Sequence, residues 1–171
     1  AAERLRRSAA ILAVEINAYG RTGDVASWRV GFDLVREPWG AWRLGWRQGK
    51  TKRDQDVGEL WPEVGEVLDE LVLAGRPRRY ATLRYTELAG RNWLTHAEEA
   101  FASRNPSHLV CEAIGVPLHD LRTLIADLLR RIDPARARDL VRAILGHAST
   151  VAGEAYSAEC DGDQAAREWQ G

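Results

Sequence analysis

Residues 41–61 read Ala41-Trp42-Arg43-Leu44-Gly45-Trp46-Arg47-Gln48-Gly49-Lys50-Thr51-Lys52-Arg53-Asp54-Gln55-Asp56-Val57-Gly58-Glu59-Leu60-Trp61, and this stretch sets the fold class. In Ala41–Arg47 the side chains Trp42, Leu44 and Trp46 alternate with Arg43 and Arg47. That is the period of a half-buried strand with an Arg-bearing outer face. Gln48–Asp56 is polar and strongly charged, as a hairpin tip is, and Val57–Trp61 returns as a third strand. Upstream, Trp28, Val30, Phe32 and Leu34 alternate with polar or small residues. Glu37-Pro38-Trp39-Gly40 is a turn between strands. The expectation is a small three-stranded antiparallel sheet.

Helices surround it. Glu3–Tyr19 has Leu5, Ala9, Leu12 and Ile16 at helical spacing and Gly20 as a stop. Thr22–Ser27 is a short second helix. From Pro62 onward the chain reads as helical. Pro62 suits a first turn, Val64, Val67, Leu68, Leu71 and Val72 form a stripe, and Gly75-Arg76-Pro77 ends it. Thr86–Ser103 and His108–Ile114 follow. Asp120–Ile132 has Leu121, Leu124, Ile125 and Leu128 at helical spacing. Asp133-Pro134 is an N-cap with Pro at the first helical position, opening Ala135–Leu145. The expected class is α+β, mainly α, with the small sheet at one edge.

The whole chain of 171 residues has 24 basic and 25 acidic side chains and a net charge of −1. With 45% hydrophobic and 29% charged residues, this is the composition of an ordinary globular domain; disordered, collagenous and disulfide-scaffold classes are excluded. The total hides an asymmetry. Residues 1–53 carry a net +6 and residues 54–171 a net −7. A basic third suits a polyanionic partner, although charge alone is also that of a solvated surface. Of the basic residues 22 are Arg, and the only lysines are Lys50 and Lys52. Cys111 and Cys160 fit neither a disulfide framework nor a metal spacing, so a reducing, cytoplasmic setting is expected. The apolar run Ala9–Val14 is far short of a membrane span, and no signal-peptide plan is present. The sequence lacks Met, and the expectation is a piece of a longer protein.

Four groups of residues carry the chemistry. His119-Asp120-Leu121-Arg122 puts a His and an Arg one helical turn apart. Leu145-Gly146-His147 is followed, nine residues after the His, by Tyr156. Gly20-Arg21-Thr22-Gly23-Asp24 joins two helices. Gly49-Lys50-Thr51-Lys52-Arg53 holds both lysines at the hairpin tip. In this order the set resembles the catalytic domain of the tyrosine recombinases, the phage-integrase family, over roughly residues 3–158. The family's hallmarks are H-x-x-R, L-G-H with a Tyr nine residues on, an early Arg in a turn between helices, and a hairpin lysine. The departures are specific. Gly20 directly precedes Arg21, Asp24 stands for a Glu, Thr123 follows the second Arg where a His is common, and the link from Arg122 to His147 is about two residues longer.

The resemblance implies six catalytic residues. Arg21 and Arg122 grip the non-bridging oxygens of a phosphodiester with paired N–H donors, and His147 adds a third donor. Tyr156 is the nucleophile, and its phenol, with a reference pKa near ~10, needs a base or nearby cations. His119 accepts or positions the proton. Lys50 protonates the leaving 5′ oxygen, with Lys52 as runner-up. The product is a 3′-phosphotyrosyl bond, which conserves the bond energy, so neither cofactor nor metal is implied. Arg43, Arg47, Lys52 and Arg53 are the expected DNA contacts. His96 and His108 are assigned to surface or core, and Trp42 and Trp46 to the core beneath the sheet.

The implied activity is site-specific cutting and rejoining of double-stranded DNA, by a homotetramer on paired sites or a monomer for the isolated domain. A type IB topoisomerase, or a degenerate DNA-binding relative that does not cleave, are the alternatives. The expected organisation is a catalytic domain over residues 1–158 and a tail over 159–171 that docks on a neighbouring protomer or stays disordered. The family's N-terminal DNA-clamping domain is expected to be absent from this chain.

Overall fold

A computed structural model describes residues 2–18 and 20–137. These divide into two units between Leu118 and His119. The class is mixed α/β, with helices and one three-stranded antiparallel sheet. No described helix is long and apolar enough to cross a membrane.

Helix α1 spans Ala2–Ala18, close to the expected range, but it buries a different face. Ala10, Ile11, Val14 and Ala18 are the residues inside, whereas Leu5 and Ile16 are 69% and 53% exposed. The helix has two apolar stripes, and periodicity cannot rank them. Helix α2 spans Thr22–Ser27 as expected.

The sheet has strands β1 (Leu34–Arg36), β2 (Trp42–Arg47) and β3 (Asp54–Glu59), in the order β1-β2-β3. The alternation from Trp28 to Leu34 is not one strand. Gly31 turns the chain at φ +79°, Phe32 points to solvent, and the Asp33 carboxylate accepts the Arg29 N–H at 2.8 Å. In β2 the expected alternation holds, with Trp42, Leu44 and Trp46 inside and Arg43 and Arg47 outside. β3 starts three residues earlier than Val57, because Asp54 and Gln55 pair with Arg47 and Trp46. Leu44 faces Gly58 and Gly45 faces Asp56, so Val57 is a surplus residue, a β-bulge eased by Gly58 at φ +78°.

Pro62 opens α3 (Pro62–Leu73), and Ala74 ends it in the left-handed conformation, its N–H donating to the Glu70 carbonyl. Val64, Leu68, Leu71 and Val72 are buried as expected, and α3 packs against α1 and β2. A 3₁₀ turn (Arg78–Tyr80) leads into α4 (Ala81–Leu88). The expected helix Thr86–Ser103 does not form beyond Leu88. Gly90 at φ +81° and His96 at φ +59° break the backbone. The side chains of Asn92 and Trp93 donate instead to the carbonyls of Ala26 and Val25, each at 2.7 Å. Asn92 Oδ1 accepts the N–H groups of Leu94 and Thr95, both at 3.1 Å. Long-range bonds to α2 thus outweigh local helix propensity.

Helix α5 (Asn105–Ile114) packs on α1, where the Ser8 hydroxyl donates to the Leu109 carbonyl at 3.2 Å. Helix α6 spans Leu118–Ile132. Its buried line is Leu118, Arg122 and Ala126, while Leu124 and Leu128 of the expected stripe are more than half exposed. Asp133 Oδ1 accepts the Arg136 N–H at 3.2 Å, as an N-cap does. The remainder of the expected helix 135–145 after residue 137, and the tail 159–171, lie outside the described residues.

Candidate functional site

The early Arg motif begins where α1 ends. The Gly20 N–H donates to the buried Glu15 carboxylate at 3.0 Å. A Cβ on Gly20 would lie 2.7 Å from Val25 Cγ2 and 2.8 Å from the Trp28 ring, so only glycine fits beside that ring. The Gly directly before Arg21, a departure from the family pattern, therefore has a packing reason. Arg21 is the N-cap of α2, and its carbonyl accepts the Val25 N–H at 2.9 Å. The Arg21 side chain is half-buried. Its Nη1 is buried and has no hydrogen-bond partner among the described residues. A guanidinium nitrogen removed from water without an acceptor is costly.

The lysine hairpin is closed by the Gln48 N–H on the Arg53 carbonyl at 2.8 Å and the Lys52 N–H on the Gln48 carbonyl at 3.0 Å. Lys50, Lys52 and Arg53 are exposed, and Lys52 adopts a left-handed backbone at φ +54°. Asp24, one helical turn after Arg21, is buried, and its Oδ1 accepts the Gly49 N–H at 2.8 Å. One carboxylate thereby pins the lysine tip to the arginine helix. Aromatic packing adds a second tie. Trp28 sits edge-on to Trp46 of β2 at 5.1 Å and meets Trp93 at 5.7 Å. The structure thus brings together the backbones that carry Arg21 and Lys50.

The sheet face is less basic than β2 alone suggests. Arg43 stands opposite Glu59 and Arg47 opposite Asp54 in register. The outer face is mixed in sign, and Arg43 and Arg47 share it with carboxylates.

In the second unit, α6 carries the H-x-x-R pair. Arg122 is 8% exposed. His119 lies in solvent, its Nε2 2.9 Å from Asp120 Oδ1. His147 and Tyr156 lie outside the described residues. His108 is a surface residue beside Glu112, as assigned, and His96 is half-buried. Burial, then the neighbouring Arg84 and Arg7, push the His96 imidazole down to about 4. No group of His, Cys, Asp and Glu among the described residues could hold a metal ion.

Sequence reasoning missed two features. Asp24 was visible only as a replacement for Glu, because its partner lies 25 residues away. The sequence places Trp39 only in a turn and Trp61 only at a strand end, and nothing in it announces that both are exposed. No protein-family model, curated protein or solved structure matches this chain.

Proposed function

We propose that this chain is the catalytic domain of a site-specific tyrosine recombinase that cuts and rejoins double-stranded DNA. One observation carries the reading. Arg21, whose buried Nη1 has no hydrogen-bond partner among the described residues, caps the helix that Asp24 ties to the hairpin bearing the only two lysines. A cation for a phosphate oxygen and a proton donor for a leaving oxygen are the two groups that transfer at phosphorus needs on this side of the reaction.

In the proposed step the Tyr156 oxygen attacks phosphorus and the bond from phosphorus to the 5′ oxygen breaks. Lys50 gives its proton to that oxygen, and the phenolic proton passes to His119. Arg21, Arg122 and His147 neutralise the non-bridging oxygens. A second 5′ hydroxyl reverses the sequence. The exposure of His119 and its contact with Asp120 favour a second reading, a DNA-binding relative that does not cleave.

A pool of nicked duplexes of randomised sequence tests both. The chain is expected to give a covalent protein–DNA adduct that survives detergent and is lost in Tyr156→Phe. Binding without an adduct overturns strand transfer in favour of the second reading. Relaxation of supercoiled plasmid without sequence preference would instead indicate a topoisomerase.

A further inference from the structure

The end of the sheet away from the lysine tip holds a different kind of surface. The turn after β1, the start of α3 and the 3₁₀ turn enclose a cleft of about 490 Å³. β2 runs from Trp42 at this cleft to Arg47 beside the tip, roughly 17 Å of strand at about 3.4 Å per residue. Two tryptophans line the cleft with their rings in solvent, Trp39 at 72% and Trp61 at 58% exposure. The backbone does not require either ring there. The turn at Trp39 is closed by the Gly40 N–H on the Glu37 carbonyl at 2.9 Å. The Trp61 N–H donates to Asn17 Oδ1 at 2.9 Å. Leaving an indole in water forgoes the gain of burying its large apolar surface. Tryptophan is also, with tyrosine and arginine, enriched among the residues that dominate protein–protein binding.

The floor of the cleft is tied together by hydrogen bonds. Arg36 grips Asp69 with two bonds, Nε to Oδ1 at 2.8 Å and Nη2 to Oδ2 at 3.2 Å. Trp42 Nε1 donates to the same Oδ1 at 3.0 Å. This pairing neutralises Arg36. The rim is acidic, with Glu59 and Glu66. An adjoining cleft between α1 and α3 shares Glu66 and Arg78 and adds Glu63 and Glu70. Arg78 lies 3.7 Å from Glu66 with both side chains in solvent, a weak pair. Over the two clefts five carboxylates face three guanidiniums. Such a surface repels a phosphate backbone. A cation on an aliphatic stem satisfies both the indole faces and the carboxylates.

We propose that this cleft is a docking site for an arginine- or lysine-bearing segment of a partner protein. The cationic head sits over Trp39 and Trp61 and against Glu59 and Glu66. The site is separate from the proposed DNA chemistry and stands without it.

The test uses the whole chain labelled with ¹⁵N, its indole N–H signals assigned with Trp39→Phe and Trp61→Phe. Nα-acetyl-arginine amide is the probe, and the neutral isostere Nα-acetyl-citrulline amide is the control. Titration with the arginine probe is expected to move the Trp39 and Trp61 signals saturably and to leave those of Trp28 and Trp93 in place. Glu59→Gln with Glu66→Gln should weaken the arginine response by about threefold. Unmoved signals, or an equal response to citrulline amide, overturn the proposal. Signals of Trp39 and Trp61 that move on dilution of the protein alone also overturn it, because they assign the cleft to a second copy of the chain.

Discussion

The Asp24 carboxylate accepts the backbone N–H of Gly49 at 2.8 Å and so fastens the lysine hairpin to the arginine helix. A hydrogen bond to a charged acceptor contributes about 1.5–3 kcal/mol. Asp24→Ala should cost an amount in that range, and Asp24→Asn, which keeps an acceptor oxygen, less. Urea unfolding together with amide exchange at Gly49 reads both. Unchanged protection of that amide in Asp24→Ala would show that the tip is held by something else.

Gly20 and Gly23 form a matched pair of tests. A Cβ at Gly20 meets Val25 and Trp28 inside 3 Å, whereas one at Gly23 meets nothing within 4 Å. Gly20→Ala is expected to destabilise by about 1–3 kcal/mol through overpacking. Gly23→Ala, within α2, should be neutral or stabilise by up to about 1 kcal/mol. Equal effects on the denaturation midpoint would contradict the close approach of the Trp28 ring.

The two lysines separate by backbone conformation. Lys52 is left-handed at φ +54°, a conformation costing a side-chain-bearing residue roughly 1–2 kcal/mol. Part of that should return in Lys52→Gly as a raised thermal midpoint. Lys50→Ala should leave stability unchanged and, on the proposed function, slow DNA cleavage far more than DNA binding. A substrate with a better 5′ leaving group should restore the rate. If Lys52→Ala shows that kinetic pattern instead, the proton donor is Lys52.

His96 gives a pH dependence with a definite sign. Its folded value of about 4 lies below the ordinary imidazole value of 6.5, chiefly because of burial. Between those two pH values the unfolded chain binds a proton that the folded chain refuses. Stability is therefore complete above about pH 6.5, falls as the pH drops through this window, and levels off below about 4. Partial exposure limits the effect to the order of 1 kcal/mol. His96→Gln should flatten this part of a stability–pH curve; an unchanged slope would place the cause elsewhere.

The hairpin was legible because its signals are local. Trp42, Leu44 and Trp46 alternate without interruption, and Lys50 and Lys52 stand out in a sequence that otherwise uses Arg. The start of α3, with Pro62 as its chemical marker, was legible for the same reason. What failed depended on distant partners. Residues 89–104 contain good helix formers, yet Asn92 and Trp93 find their acceptors in α2, over 60 residues earlier in the chain. In α1, Leu5 and Ile16 compete with Ile11 and Val14 for the interior, and the choice belongs to the packing of α3 and α5. For the candidate site, the motifs of Arg21 and Lys50 could be read singly. The bond that joins them could not, because neither Asp24 nor Gly49 has a local feature that announces it.

The surplus Val57 has a consequence for how this sheet tolerates change in length. Without it, Gly58 would still face Leu44 and Asp56 would still face Gly45, the ladder being regular throughout. Asp54, Asp56 and Glu59 would keep their outward side. β3 thus holds one spare residue, and a deletion there leaves both faces of the sheet as they are. The same deletion inside β2 would bring Arg43 or Arg47 into the interior and turn a tryptophan outward. Variation in the hairpin's length is free to accumulate on the strand that returns from the lysine tip, and is barred from the strand that leads to it.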